Sequence, residues 1–87
     1  MSAAAISPQE IKTLIEQGIK GARALVEGEG SKFQATVVSE QFAGLSLVKK
    51  QQLVYATINS QIASGAIHAV SMRTLTPEEW RRMKLFG

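Results

Sequence analysis

Metal coordination and nucleophilic catalysis depend on a few side-chain types, and this chain of 87 residues contains few of them. It has one histidine, His68, and no cysteine. Without thiols the chain cannot form a disulfide framework, a CxxC redox pair or a four-cysteine zinc site. Any coordination of a soft metal must therefore pass largely through His68, because a neutral imidazole nitrogen is a common metal ligand. The alternative interpretation is that His68 is an ordinary residue of a sheet with no role in coordination.

The residues needed for catalysis do not occur in a recognisable arrangement. No serine lies in a nucleophile elbow, and His68 has no carboxylate placed by sequence to complete a triad. Glu78 and Glu79 are adjacent on a predicted helix and point apart, so they do not form a carboxylate pair. The segment Gly28–Gly30 is too short for a phosphate-binding glycine motif and does not open a helix. We therefore expect a protein that is not an enzyme.

Composition limits the class of protein. Hydrophobic residues make up 45% of the chain and charged residues 20%, which is typical of a globular domain. No apolar run is as long as a membrane span, and the first residues lack the basic and apolar regions of a secretory signal. We therefore expect a cytoplasmic protein with no membrane association. Residues 1–6 are predicted to be a flexible tail and residues 7–87 a single domain.

Three helix starts can be identified from the sequence. The segment Ser7–Glu10 predicts a capping box, and the helix it begins should end at the glycines between residues 18 and 21. Ser46 can cap a long helix over residues 47–63, and Thr76–Glu79 predicts a second capping box for a final helix to about residue 85. The buried face of the long helix is predicted to carry Leu47, Val54, Ile58 and Ile62.

Alternating apolar residues predict three strands, over residues 22–27, 33–39 and 67–72. Residues 28–31 form a turn between the first two, which makes them an antiparallel hairpin. The long helix then connects the second strand to the third, which favours parallel pairing through a right-handed crossover. The expected fold is α+β, in the order αββαβα, with a three-stranded mixed sheet and helices packed mainly on one face.

Three blocks of sequence resemble a known family. They read FQATVVSEQFAG at residues 33–44, VKKQQLVY at residues 48–55, and IHAVS with TLTPEEW at residues 67–80. In this order and spacing, over about residues 8–84, they resemble the BolA family and are most similar to its short bacterial IbaG-like branch. The resemblance implies a class II KH-like fold, in agreement with the order of elements predicted above.

The resemblance also implies function. BolA-like proteins pair with monothiol glutaredoxins and share a glutathione-ligated [2Fe-2S] cluster, and some are transcriptional regulators of stress response or cell morphology. His68 matches the family's histidine ligand. The second ligand position, a cysteine or histidine in the hairpin loop, is occupied here by Lys32, which departs from the family pattern.

The number of ligands decides what this departure means. A [2Fe-2S] cluster needs four terminal ligands, of which a glutaredoxin cysteine and a glutathione thiol supply two and a neutral imidazole can supply a third. Lys32 is a poor fourth ligand because its ammonium must first lose a proton, and Glu27 and Glu29 are hard ligands. We expect a weakly ligated shared cluster, or docking without a ligand from the loop. The predicted docking surface comprises the hairpin loop, the third strand and the start of the last helix, with Glu29, Ser31, Lys32, Ala66, Ile67, His68 and Arg73.

The alternative function is DNA binding. The formal charge is +3, and the basic residues that could contact phosphates are Lys49, Lys50, Arg73, Arg81 and Arg82. Lys49 and Lys50 also have a simpler interpretation as the solvated side of a helix, and Arg81 and Arg82 as cations near a helix C-terminus. Residues 18–21 have GxxG spacing, but they lie between a helix and a strand and are interpreted as a helix stop. The chain alone is expected to be a monomer or weak dimer.

Overall fold

The computed structural model describes residues 6–86, with side chains described for residues 6–84. The elements are α1 (Pro8–Gly18), β1 (Arg23–Glu29), β2 (Lys32–Val38), a short 3-10 turn (Glu40–Phe42), α2 (Leu47–Ala63), β3 (Ala69–Leu75) and α3 (Pro77–Phe86). The predicted αββαβα order is confirmed. Both predicted capping boxes form: the Ser7 and Glu10 pair begins α1, and the Thr76 and Glu79 pair begins α3.

The three strands form one mixed sheet in the order β1-β2-β3. β1 is antiparallel to β2, with Glu29 opposite Lys32 next to the turn. β2 is parallel to β3, with Lys32 opposite Ala69 and Val38 opposite Leu75. β2 therefore lies in the centre, and α2 is the crossover connection that joins the two parallel strands.

One face of the sheet carries the core. On β2 the side chains of Phe33, Ala35 and Val37 are buried, as the predicted alternation required, while Gln34 on the opposite face is exposed. The helices cover this face with buried side chains at helical spacing, namely Ile11, Ile15 and Ile19 from α1 and its end, and Val54 and Ile58 from α2. The helices thus lie mainly on one side of the sheet, and the other side is open.

The structure differs from three sequence predictions. Leu47 is 62% exposed rather than buried, because it lies in the first turn of α2. Helical periodicity indicates which side of a helix is apolar, but it does not indicate how far along the helix the core extends. The third strand begins at Ala69, so His68 precedes it. Ile6, assigned to the tail, is packed in the core. Residues 1–5 lie outside the described part of the chain.

Candidate functional site

The hairpin between β1 and β2 depends on its glycines. The turn consists of Gly30 and Ser31, and only Gly30 has a positive φ (62°), the pattern of a type II′ turn. Gly28 has a φ of 152°, and a Cβ there would overlap the Lys32 carbonyl oxygen and lie 2.8 Å from the Phe33 Cα. β1 and β2 are therefore so close at Gly28 that a side chain at this position would collide with β2.

The turn also fixes the main chain around His68. The Ser31 carbonyl accepts hydrogen bonds from the His68 N–H at 2.8 Å and from the Ala69 N–H at 3.2 Å. Ile67, immediately before His68, is buried in the core, and its N–H donates to the Gln61 carbonyl at 3.1 Å. The main chain of His68 is therefore held between a buried anchor and the hairpin turn.

The His68 ring itself is exposed. Within residues 6–84 no group hydrogen-bonds to either ring nitrogen. The Nε2 atom lies next to Gly65, since a Cβ built on that glycine would be 3.6 Å from it, an ordinary van der Waals contact. A fixed main chain with an unpaired, exposed imidazole is a suitable arrangement for donating one nitrogen to an external metal.

Lys32 is close to His68 along the main chain, but the two side chains line different hollows. Lys32 pairs with Ala69 and contributes, with Glu27, Gln34 and Ser71, to a hollow of about 410 Å³ on the open face of the sheet. The His68 ring contributes to a second hollow of about 350 Å³ on the helix side, which is also lined by Tyr55, Ile62, Ile67, Ala69 and Val70. The two predicted ligand positions are therefore neighbours along the main chain, but their side chains line different hollows.

Within residues 6–84 no group of three or more histidine, cysteine, aspartate or glutamate side chains could hold a metal ion. The described side chains cannot form a complete metal site. They could supply one terminal ligand to a metal centre whose other ligands come from another molecule. His68 is the side chain that could provide that ligand.

The predicted docking surface is only partly assembled. Glu29 pairs with Lys32, Lys32 pairs with Ala69, and the Ser31 carbonyl accepts from the His68 N–H. We call residues 28–32 together with 66–69 the hairpin end. Ile67 is 2% exposed, so it supports this surface from inside and cannot form a contact area. Arg73 lies further along β3, opposite Thr36.

The start of the last helix does not surround His68, contrary to the prediction. α3 begins at Pro77, after β3 has run its full length from Ala69 to Leu75. At about 3.3 Å per residue this places the two roughly 20 Å apart. The prediction was wrong because it treated all segments next to the third strand as neighbours. His68 and the start of α3 instead lie at opposite ends of that strand.

Four of the basic residues of the alternative function, Lys49, Lys50, Arg81 and Arg82, belong to helices that begin at the opposite end of the sheet, whereas Arg73 lies within β3. α2 and α3 both begin after the paired residues Val38 and Leu75, at the end of the sheet away from the hairpin. Hydrogen bonds from Thr76 lower the pKa of Glu79, and the Lys50 charge lowers it further. We call residues 45–53 together with 76–84 the basic end. One of its cations is already paired, since the Arg82 guanidinium lies 2.7 Å from the Glu78 carboxylate.

The basic end also carries apolar surface that the sequence did not predict. Leu47 and Val48 are 62% and 61% exposed, and Leu45 and Leu53 line a hollow with Lys49 and Gln52. The signal that could have revealed this is the position of Leu47 and Val48 directly after the Ser46 cap, where few neighbours can cover them. Within residues 6–86, no helix combines the length and apolar character that crossing a bilayer requires.

The fold and the hairpin end define a small α+β domain whose exposed imidazole can contribute to a site completed by another molecule. A family model described as BolA-like protein matches residues 4–79. The chain belongs to the BolA family, as the resemblance in its sequence indicated.

Relatives and solved structures agree with this assignment. The chain is 44% identical over 73 residues to the acid stress protein IbaG of Escherichia coli K12, covering 84% of this chain and 87% of the relative. It is 37% identical over 76 residues to the DNA-binding transcriptional regulator BolA of Vibrio cholerae, covering 87% and 68%. The structure of a BolA homologue from Coxiella burnetii superposes with a TM-score of 0.80 at 36% identity, covering 88% of this chain and 99% of that one.

Proposed function

We propose that this protein is an adaptor that docks a monothiol glutaredoxin and shares with it a glutathione-ligated [2Fe-2S] cluster. The observation that supports this most directly is the state of His68: its main chain is held by Ser31, and its ring is exposed and makes no hydrogen bond within residues 6–84. Such a group can reach a metal held mainly by another molecule's sulfurs without reorganising the domain. The cluster is cargo, and this chain contributes one nitrogen to it.

Lys32 has a different role in this proposal. Its side chain lines the open-face hollow rather than the His68 hollow. An ammonium there suits a carboxylate of the partner or of glutathione, because an ammonium donates hydrogen bonds and has no acceptor. The hairpin then supplies charge to the docked complex and no metal ligand, so the shared cluster has one ligand fewer than a loop cysteine or histidine would give it.

The test is a titration of the protein with a monothiol glutaredoxin carrying a glutathione-ligated cluster, followed by visible absorption. The spectrum should change on mixing, and His68→Ala should abolish the change. Lys20→Ala, an exposed residue away from the hairpin end, is the matched control. A spectral change that survives in His68→Ala removes the imidazole from the proposal. Amide NMR shifts concentrated at residues 28–33 and 66–70 would locate the docking surface.

A second candidate function, DNA binding by a transcriptional regulator, is supported by the basic end. Lys50 lies near the start of α3, so the cations of two helices share one region. The Vibrio cholerae relative carries the name of a DNA-binding regulator.

A mobility-shift titration at several salt concentrations tests this function. Each phosphate contact should contribute about 0.9 to the slope of log affinity against log salt, so Lys49→Glu/Lys50→Glu should reduce that slope. Binding that is unchanged by the double substitution would exclude the first turn of α2 from the interface.

A further inference from the structure

The two edges of the sheet are protected differently. β1 and β3 are the edge strands. On β1 the Glu16 carboxylate, which extends from α1, accepts a hydrogen bond from the Ala24 N–H at 3.0 Å. Pairing an edge amide with a side chain reduces the tendency of that edge to bind another strand.

The directions of the main-chain N–H and C=O groups of β3 follow from their hydrogen-bond partners. The Ala69 N–H donates to the Ser31 carbonyl, and the Leu75 carbonyl accepts from the Ser39 N–H, so both residues direct their main chain toward β2. Because these directions alternate along a strand, the N–H and C=O groups of Val70, Met72 and Thr74 point away from β2. Within residues 6–84 no loop, helix or side chain hydrogen-bonds to them. β3 therefore presents an open edge.

A hollow with both polar and apolar walls adjoins this edge. It is the hollow of about 350 Å³ between α2 and the start of β3, lined by Tyr55, Ile62 and Val70 among others. Tyr55, which lines the hollow from α2, is 41% exposed. A chain paired with β3 would pass along the rim of this hollow, and its side chains on the helix side would be directed toward it.

The charge near the edge is positive. Arg73 is the charged residue of β3, and it is exposed. The acidic residues of the sheet, Glu27 and Glu29, lie on β1 at the other edge. An incoming strand with carboxylates on its open-face side would therefore meet an unpaired guanidinium and no nearby acid on β3.

We propose that the β3 edge binds an extended acidic segment of a partner protein, which adds a fourth strand and places one apolar side chain in the Tyr55–Ile62–Val70 hollow. Main-chain hydrogen bonds to Val70, Met72 and Thr74 supply affinity, and the hollow and Arg73 supply selectivity. This surface adjoins the hairpin end, since His68 lines the same hollow, but the proposal can be tested with no glutaredoxin or cluster present.

The test is an NMR titration of the full chain with the capped peptide acetyl-Glu-Val-Thr-Leu-Glu-Ile-amide. At about millimolar peptide we expect shifts of the Val70, Met72 and Thr74 amides and of the Tyr55 ring. The same peptide methylated on alternate amide nitrogens should not bind. Arg73→Glu should weaken binding about fivefold, somewhat beyond the loss of one exposed ion pair because the charge is reversed. Arg23→Glu, which makes the same charge change on β1, should leave the affinity unchanged.

A proline variant tests the edge directly. Since the Met72 N–H faces outward, Met72→Pro removes no bond to β2 and should abolish peptide binding while the domain stays folded. If this variant does not fold, the methylated peptide and the Arg73 and Arg23 pair still decide the question.

Several outcomes would overturn the proposal. They are the absence of shifts at millimolar peptide, shifts confined to the first turn of α2, and binding that survives methylation of the peptide. Shifts of the β3 amides that depend on protein concentration without peptide would show that a second copy of the chain occupies the edge instead.

Discussion

The hairpin end and the basic end lie at opposite ends of β3, and they differ in how completely their polar groups are paired. At the hairpin end the main chain is fixed, by Ser31 and by buried Ile67, while the His68 ring is unpaired within residues 6–84. At the basic end Arg82 is already bonded to Glu78, while apolar Leu47 and Val48 remain exposed. A metal ligand needs a free atom on a fixed main chain, and the hairpin end meets that requirement. The basic end is suited instead to broader, less directional contacts.

The largest expected effect is on the free energy of unfolding, and it distinguishes the two ends because Ile67 is buried and Leu47 is exposed. Ile67→Ala should destabilise the domain by about 2–5 kcal/mol, because it leaves a cavity in the core beneath His68. Leu47→Ala, at the basic end, should change the free energy of unfolding by about 0.5 kcal/mol or less, since that side chain is already exposed. Urea denaturation of both variants checks this. Equal losses would mean that the two ends are packed alike.

The next prediction concerns the hairpin that holds His68. Gly28→Ala should cost about 3 kcal/mol, because the new Cβ overlaps the opposing strand in addition to imposing an unfavourable φ. Gly44→Ala is the matched control: Gly44 also has a positive φ, 78°, but an added Cβ there meets no atom within 4 Å. It should cost about 1–2 kcal/mol. If the two variants lose the same stability, the close approach at Gly28 has no energetic weight.

Much of the fold could be predicted because local chemistry determines it. The capping pairs Ser7–Glu10 and Thr76–Glu79 involve residues three positions apart, and the alternation of Phe33, Ala35 and Val37 follows directly from strand geometry. His68 was selected as a candidate because it is the one histidine of the sequence.

The placement of Lys32 and His68 in different hollows could not be predicted in this way. It depends on where β3 begins and on the parallel register that places Lys32 opposite Ala69. A shift of one residue reverses the face to which a strand side chain points, and the boundaries of a strand are set by tertiary pairing rather than by its own sequence. The pairing of Glu16 with Ala24 was missed for the same reason, since it joins a helix to an edge strand.

A smaller effect should appear in acid. The Lys12 side chain, which donates to Glu16 at 2.7 Å, and the Ala24 N–H lower the pKa of Glu16 below its ordinary value of 4.5. A depressed folded-state pKa means that this stabilisation is complete above the ordinary value and is lost as the pH falls through the lower, folded-state pKa. Glu16→Gln should therefore lower the melting temperature at pH 7 and make it less dependent on pH below about 4.5. Lys12→Gln should produce part of the same change, and a pH profile parallel to the wild type in Glu16→Gln would contradict this account.

The smallest predicted effect is a gain in stability beside the basic end. The Thr74 Oγ1 atom is buried and has no hydrogen-bond partner within the described residues, so it has lost its hydration without compensation. Thr74→Val keeps the shape of the side chain and removes the unpaired hydroxyl, and it should raise the free energy of unfolding by up to about 1 kcal/mol. Thr36→Val, on the open face, is the control and should have little effect. A loss of stability in Thr74→Val would show that the hydroxyl is hydrogen-bonded in solution. The polar groups next to the basic end would then be more completely paired than the comparison with the hairpin end implies.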